Sequence, residues 1–205
     1  MDDLDPILDP EVVQERAPGA STGLFFFDIV KFTLLAFAIV APIRYFVAQP
    51  FIVNGSSMDP TFSSGDYLVV DQLSYRFVPP KRGDVVVFRY PLDPSKYFIK
   101  RIVGLPLETV EVKGSRVFIT SKDSDITEEL VEPYLTFMGQ SYVTVRLGES
   151  EYFVMGDNRA ASSDSRAWGP ITRGHIVGSA FLRLYPFAQF DLHPGENATY
   201  ESLTI

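Results

Sequence analysis

The chain predicts a mostly-β fold, a mixed antiparallel sheet of barrel-like or sandwich type, carried behind one N-terminal transmembrane helix. Three observations predict it. From residue 66 onward, short runs of β-branched and aromatic residues recur, punctuated by Gly and Pro. Ahead of them, residues 24–48 are dominated by apolar side chains, with no charge from Phe32 to Ile43. The total of 205 residues suits one domain of moderate size plus an anchor.

Composition narrows the function classes. Hydrophobic residues make up 46% of the chain, enough to build a core and to argue against disorder. The net charge of −8 speaks against nucleic acid as a partner, because phosphate binding needs a basic footprint. There is no cysteine, which removes disulfides, thiolate metal sites and cysteine nucleophiles. His175 and His193 are the only two histidines, so metal and triad chemistry have few ligands to draw on. No cofactor and no metal are expected, and no feature specifies an oligomeric state.

Taken in order, residues 1–23 read as an acidic, solvated tail containing Asp2, Asp3, Asp5, Asp9, Glu11 and Glu15. Residues 24–48 follow as the transmembrane helix. A span needs about 20 largely apolar residues, and Leu24–Phe46 reaches that length by including Asp28, Lys31 and Arg44. Asp28 and Lys31 can pair on one helix face, while Lys31 and Arg44 can snorkel toward opposite interfaces. The competing reading is a buried core helix. A cleaved leader fits less well, since the preceding region is acidic rather than basic. Strands are predicted over 66–71, 84–90 and 98–103, then as a hairpin over 110–119 turning at Lys113-Gly114-Ser115. Two more are predicted over 151–155 and 175–184. Residues 121–150 read as polar loop with one strand near 142–147. The β-rich domain is bounded at 49–190, leaving 191–205 as a C-terminal tail.

Three segments carry chemistry. Gly55-Ser56-Ser57-Met58-Asp59-Pro60-Thr61 places candidate nucleophilic serines directly after the apolar segment. Serine needs a base, and neither histidine is well set to serve: His193 lies in a C-terminal turn, and His175 opens a strand where a structural role is expected. Lysine is the other base. At its ordinary pKa only about one amine in 2,500 is neutral at pH 7, but burial can lower a lysine by about 3–5 units. Lys100 has apolar neighbours in Phe98, Ile99, Ile102 and Val103, and shares a strand face with Phe98 and Ile102. The ordinary alternative is an exposed edge lysine. The third segment, Gly156 to Pro170, packs two Arg, three Asp or Asn and three Ser behind a strand. It can be a solvated turn, or a loop that orients a nearby amine and locks itself through an Asp164–Arg166 ion pair.

Read together, these segments resemble bacterial type I signal peptidases, membrane-anchored serine endopeptidases that remove signal peptides from exported proteins. The resemblance covers about residues 30–187. It rests on Gly55–Thr61, Gly65–Val70, Arg82–Phe88, Tyr97–Pro106 and Gly156–Gly169, in the family's order. It implies Ser57 as nucleophile, Lys100 as general base, Ser162 as the lysine-orienting hydroxyl, and Asp164 with Arg166 as the supporting ion pair. The Ser57 N–H would serve the oxyanion. Gly55 is the other oxyanion position implied; some members carry a hydroxyl there, so in this sequence the second donor must come from elsewhere, with backbone as one source. The substrate site implied is Phe51, Val53, Asn54, Val87, Phe98 and Ile99, taking the peptide as an added strand with small residues at −1 and −3. The partners implied are the signal peptides of secreted preproteins and the lipid bilayer, with a single-pass topology and the catalytic domain outside the cytoplasm. Two departures stand out. Asn54 replaces a frequent Pro, and Leu107-Glu108 stands where many members read Gly-Asp after Gly-Leu-Pro.

Three other readings compete. A soluble Ser–Lys self-cleaving protease of the SOS-repressor type shares the Ser-Met and lysine-strand chemistry. A penicillin-binding acyl enzyme needs Ser-x-x-Lys with Ser-Asp-Asn and Lys-Thr-Gly companions, which are missing. A non-catalytic membrane-anchored peptide-binding β module would have no use for Lys100.

Overall fold

The structure, a computed structural model, describes residues 22–42, 44, 48–122, 126–195 and 202–204. It divides into two units, residues 1–41 and 42–205. In the first unit, α1 (Thr22–Pro42) exposes large apolar side chains at successive positions from Phe25 to Val40, and therefore on every face. Among the described residues no helix is long and apolar enough to cross a membrane. The helix is described to Pro42; of the rest of the predicted span, residues 43 and 45–47 lie outside the described residues, and Ala48 opens β1. The acidic tail lies outside the described residues, except that Thr22 and Gly23 open α1.

In the second unit, alternating burial builds two antiparallel sheets. The larger contains β1 (Ala48–Ile52), β2 (Tyr67–Asp71), β3 (Val85–Tyr90), β4 (Asp93–Gly104), β9 (Glu151–Met155), β10 (Ile171–Thr172), β11 (Ile176–Tyr185) and β12 (Asp191–Leu192). Its order is β1-β2-β11-β3-β4-β9-β10, with β12 added to β11. The smaller sheet contains β5 (Thr109–Gly114), β6 (Arg116–Thr120), β7 (Thr127–Leu130), β8 (Ser141–Arg146) and β13 (Ser202–Thr204), in the order β13-β7-β6-β5-β8.

β3 is apolar for four residues, Val85–Phe88, because both its faces are covered. Val86 and Phe88 pack with Ile102, Val154 and Ile171. Val85 packs with Val53, Met58, Phe62 and Leu68. The smaller sheet has its own apolar layer of Val110, Val112, Val117 and Ile119, which joins the larger through Val103, Phe153 and Met155. The hairpin of β5 and β6 turns at Gly114, where φ is +66°.

Three elements depart from the expectations. β7 lies in the segment read as loop, because Thr127-Glu128-Glu129 carries no apolar alternation and only Leu130 is buried. Its identity comes from pairing with β6, where Glu129 faces Phe118. β4 starts at Asp93 and includes Pro94, which is tolerated at the opening of a strand. Parts of the predicted C-terminal tail also pair: β12 with β11, and β13 with β7.

Leu107 adopts φ +70°, the left-handed region that favours Gly, at one of the two departures noted from the resembled pattern. The turn around it is held by Glu108, whose carboxylate accepts from the Leu105 N–H at 2.8 Å and pairs with Arg82 at 2.6 Å. Leu107→Gly is expected to relieve the side-chain strain and raise stability by up to about 1 kcal/mol, since the left-handed conformation costs an L-residue about 1–2 kcal/mol. Urea unfolding checks this, and a lower midpoint would show that the Leu107 side chain stabilises more than its backbone strains.

Candidate active site

Ser57 lies in the loop between β1 and β2, and buried neighbours pin that loop. The Val53 N–H donates to the Asp66 carbonyl and the Gly65 N–H to the Val53 carbonyl, each at 2.9 Å, closing the loop's base. Inside it the Phe62 N–H donates to the Met58 carbonyl at 2.9 Å. Met58 and Phe62 are fully buried on either side of the turn, so the residue preceding Met58 is held at the surface of a rigid core. Gly55 takes φ +99°, and its N–H reaches Ser64 Oγ at 3.4 Å.

Lys100 stands on β4 opposite Val86 and is only 4% exposed. Its Nζ lies 2.7 Å from Ser57 Oγ and donates to the Ile99 carbonyl at 2.8 Å, with the Phe98 ring centroid 5.5 Å away. Burial pushes the ammonium down from 10.5 to about 8, against the opposing pull of the Asp164 and Asp157 carboxylates.

The loop after β9 completes the site. A Cβ at Gly156 would sit 2.3 Å from both the Ser57 carbonyl oxygen and Ser162 Oγ, so only glycine admits this approach. The Asn158 N–H donates to the Ser57 carbonyl at 3.0 Å. Asp157 accepts from Arg101 Nε at 2.8 Å and Nη2 at 2.6 Å, and from Thr61 Oγ1 at 2.6 Å. The two side chains of the Arg101–Asp157 pair are 1% and 0% exposed. This buried clamp joins the serine loop, the lysine strand and the loop after β9.

Asp164 caps the short helix α2 (Ser165–Trp168), accepting from the Arg166 N–H at 3.2 Å. Arg166 holds it through Nε and Nη2, both at 2.8 Å. Burial pushes the Asp164 carboxyl up, but Arg166 outweighs it and keeps the group below the usual carboxylate range. Ser162 Oγ is buried against Gly156 on the side of the Asp164 carboxylate, and no hydrogen bond joins it to Lys100.

Beside the Ser57–Lys100 contact opens a cleft of about 720 Å³. Phe51, Val53, Asn54, Val87, Phe98 and Ile99 all line it, as do Gly55, Ser57 and Lys100. Tyr97 and Ala161 also line it, and Tyr97 meets Phe51 at a centroid distance of 5.2 Å. The sequence reading missed the holding residues Thr61, Arg101, Asp157 and Asn158. An arginine inside an apolar strand was the available signal, since a buried guanidinium requires a carboxylate partner. His175 is a capping residue: its Nδ1 accepts from the Thr172 N–H at 3.2 Å. Among the described residues, no group of three or more His, Cys, Asp or Glu is placed to hold a metal ion.

In this β domain a serine hydroxyl thus meets a sheltered amine beside a cleft lined in part by apolar side chains. The family described as signal peptidase, peptidase S26, matches residues 26–185. The chain is 35% identical over 184 residues to a probable signal peptidase I-1 of Synechocystis sp., covering 86% of this chain and 91% of that one. It is 34% identical over 171 residues to the signal peptidase I of Bacillus caldolyticus, covering 76% and 90%. A crystal structure of a signal peptidase I from Enterococcus faecalis V583 is 28% identical, covers 50% of this chain and 97% of its own, and superposes with a TM-score of 0.42. The chain belongs to the signal peptidase family, peptidase S26.

Asp157→Asn would leave the Arg101 guanidinium buried without its counter-charge. A loss of about 3–5 kcal/mol in unfolding free energy is expected, as for other broken buried pairs. Chemical denaturation at neutral pH measures it, and a loss below about 1 kcal/mol would mean that Arg101 finds a substitute partner.

Proposed function

We propose that this chain is a membrane-anchored endopeptidase that cleaves signal peptides of exported preproteins after small residues, with Ser57 as nucleophile and Lys100 as general base. The observation that carries the reading is the 2.7 Å approach of Lys100 Nζ to Ser57 Oγ, combined with the burial of that amine. With the ammonium lowered to about 8, roughly one amine in ten is neutral at pH 7, against about one in 2,500 for an ordinary lysine.

The neutral amine takes the Ser57 hydroxyl proton as Oγ attacks the scissile carbonyl. The Ser57 N–H receives the developing oxyanion. The C–N bond then breaks, and the Lys100 ammonium returns its proton to the departing amine. Water hydrolyses the acyl-enzyme by the same path, giving a proton to Lys100 and restoring Ser57. The Asp164–Arg166 pair and Ser162 support the loop packed against this contact.

A strand-like substrate fits the cleft, which is bordered by the end of β1 and by residues 96–100 of β4. β1 ends the larger sheet, and among the described residues no strand pairs with β4 on its far side before Arg101. Each therefore offers backbone groups to an added strand. The apolar α1, exposed on all faces, supports anchoring at a bilayer. Anchoring would raise the local concentration of a substrate whose own leader is membrane-embedded.

Ser57→Ala and Lys100→Met should each reduce cleavage of a detergent-solubilised Ala-X-Ala signal peptide below about one thousandth of wild type, as when other nucleophile or base residues are removed. Ser56→Ala should keep most of the activity; loss at Ser56 with retention at Ser57 would reassign the nucleophile. Because the working form of Lys100 is the neutral one, kcat/KM should rise with pH and level off above about 8. A profile that falls through this range, or one centred on an ordinary histidine value, would contradict a lysine base.

A further inference from the structure

The segment between β7 and β8, without a role in the proposed reaction, crosses to the loop after β9 and holds it at several points. Glu132 and Arg159 form an ion pair whose side chains are only 4% and 3% exposed. Arg159 Nη1 donates to Glu132 Oε2 at 2.9 Å, and Arg159 Nη2 donates to Oε1. Tyr134 donates its hydroxyl to Glu132, while its ring covers the Arg101 guanidinium at 4.1 Å. The Arg159 N–H donates to the Phe137 carbonyl at 3.0 Å. Gly139 approaches so closely that a Cβ there would lie 2.4 Å from the Arg159 carbonyl oxygen.

Arg159 passes this hold toward the site. Its Nε donates to the Gly156 carbonyl at 3.1 Å, and its own carbonyl accepts from Arg166 Nη2 at 2.9 Å. Asn158, the preceding residue, donates its N–H to the Ser57 carbonyl. One guanidinium therefore ties together Gly156, Glu132 and the backbone that steadies both Ser57 and the Asp164–Arg166 pair. None of residues 132–139 lines the substrate cleft.

We infer that the Glu132–Gly139 segment is a brace from the smaller sheet that positions the loop after β9 against Ser57 and Lys100, with Glu132 as its principal positioning residue. The brace rests on the reading of Ser57 and Lys100 as the reacting pair. It acts on how well the site is set rather than on how tightly peptide binds, because it touches the loop from the side away from the cleft lining. Releasing it lets the loop drift and admits water to Lys100.

The test compares wild type and Glu132→Gln as full-length, detergent-solubilised proteins on a synthetic Ala-X-Ala signal peptide. Glu132→Gln should lower kcat about tenfold or more with KM within about twofold, since a displacement of an ångström can cost about 10²-fold. The pH midpoint of kcat should move upward, because a wetter amine holds its proton more tightly. Hydrogen exchange at the Asn158 amide should accelerate relative to the β3 amides, a readout independent of cleavage. If Glu132→Gln does not fold, Tyr134→Phe removes one hydroxyl from the same brace and should shift the same readouts in the same direction to a smaller extent. Unchanged kcat, midpoint and Asn158 exchange, even alongside a lower melting temperature, would overturn the brace, as would a loss carried by KM. Altered Asn158 exchange in a protein whose wild type cleaves nothing would uphold the brace and sink the proposed peptidase reading.

Discussion

In the proposed reaction a single amine must be kept dry, and the surrounding packing is what keeps it so. Lys100 is covered by the β sheet and the loop after β9, and the cover lowers its ammonium to about 8 from 10.5. The shift works against stability. The unfolded chain holds this proton more tightly than the folded one, so folding carries a penalty of about 3 kcal/mol below pH 8. The penalty shrinks as pH rises from about 8 toward 10.5. Other burial must offset that cost, and the neighbouring layers of Val86, Phe88 and Ile102 on one side and Met58, Phe62 and Val85 on the other do so.

Keeping an amine dry is of no use unless a hydroxyl is brought to it, and here buried charge supplies the alignment. Arg101 follows Lys100 in sequence and Asp157 follows Gly156, so each site element has a partner one residue away that is locked in the clamp. Thr61 brings in the serine loop from its far end. The ion pair is weak as a source of net stability but strict about geometry, because a displaced partner would leave a charge stranded in an apolar interior. The serine loop, the lysine strand and the loop after β9 thus come to one register, although they lie 43 and 56 residues apart along the chain.

Much of this was legible in the residues. The β-branched runs at Val85–Phe88 and Phe98–Val103 are strands, and the polar block from Gly156 is a loop against the site. Lys100 stood out by its apolar neighbours as a candidate base, and the resemblance singled out Ser57, since spacing alone did not choose between Ser56 and Ser57. Less legible was whatever depends on partners distant in sequence. β7 is polar and becomes a strand only because β6 and β13 flank it. Glu132 looks like a solvated carboxylate until Arg159 is beside it. Ser162 illustrates the opposite case: its hydroxyl is buried next to Gly156, yet Lys100 takes Ser57 and the Ile99 carbonyl as its neighbours. Side-chain pairing is decided by rotamers and loop packing, which local pattern does not encode.

The central physical claim is that Lys100 sheds its proton near neutrality because it is buried against Ser57. It can be read directly by following the Lys100 ε-carbon chemical shift with pH, using lysine-labelled protein and a Lys100→Met variant to assign the signal. The account predicts a titration midpoint near 8, well below the remaining lysines. A midpoint close to 10.5, indistinguishable from theirs, would contradict it.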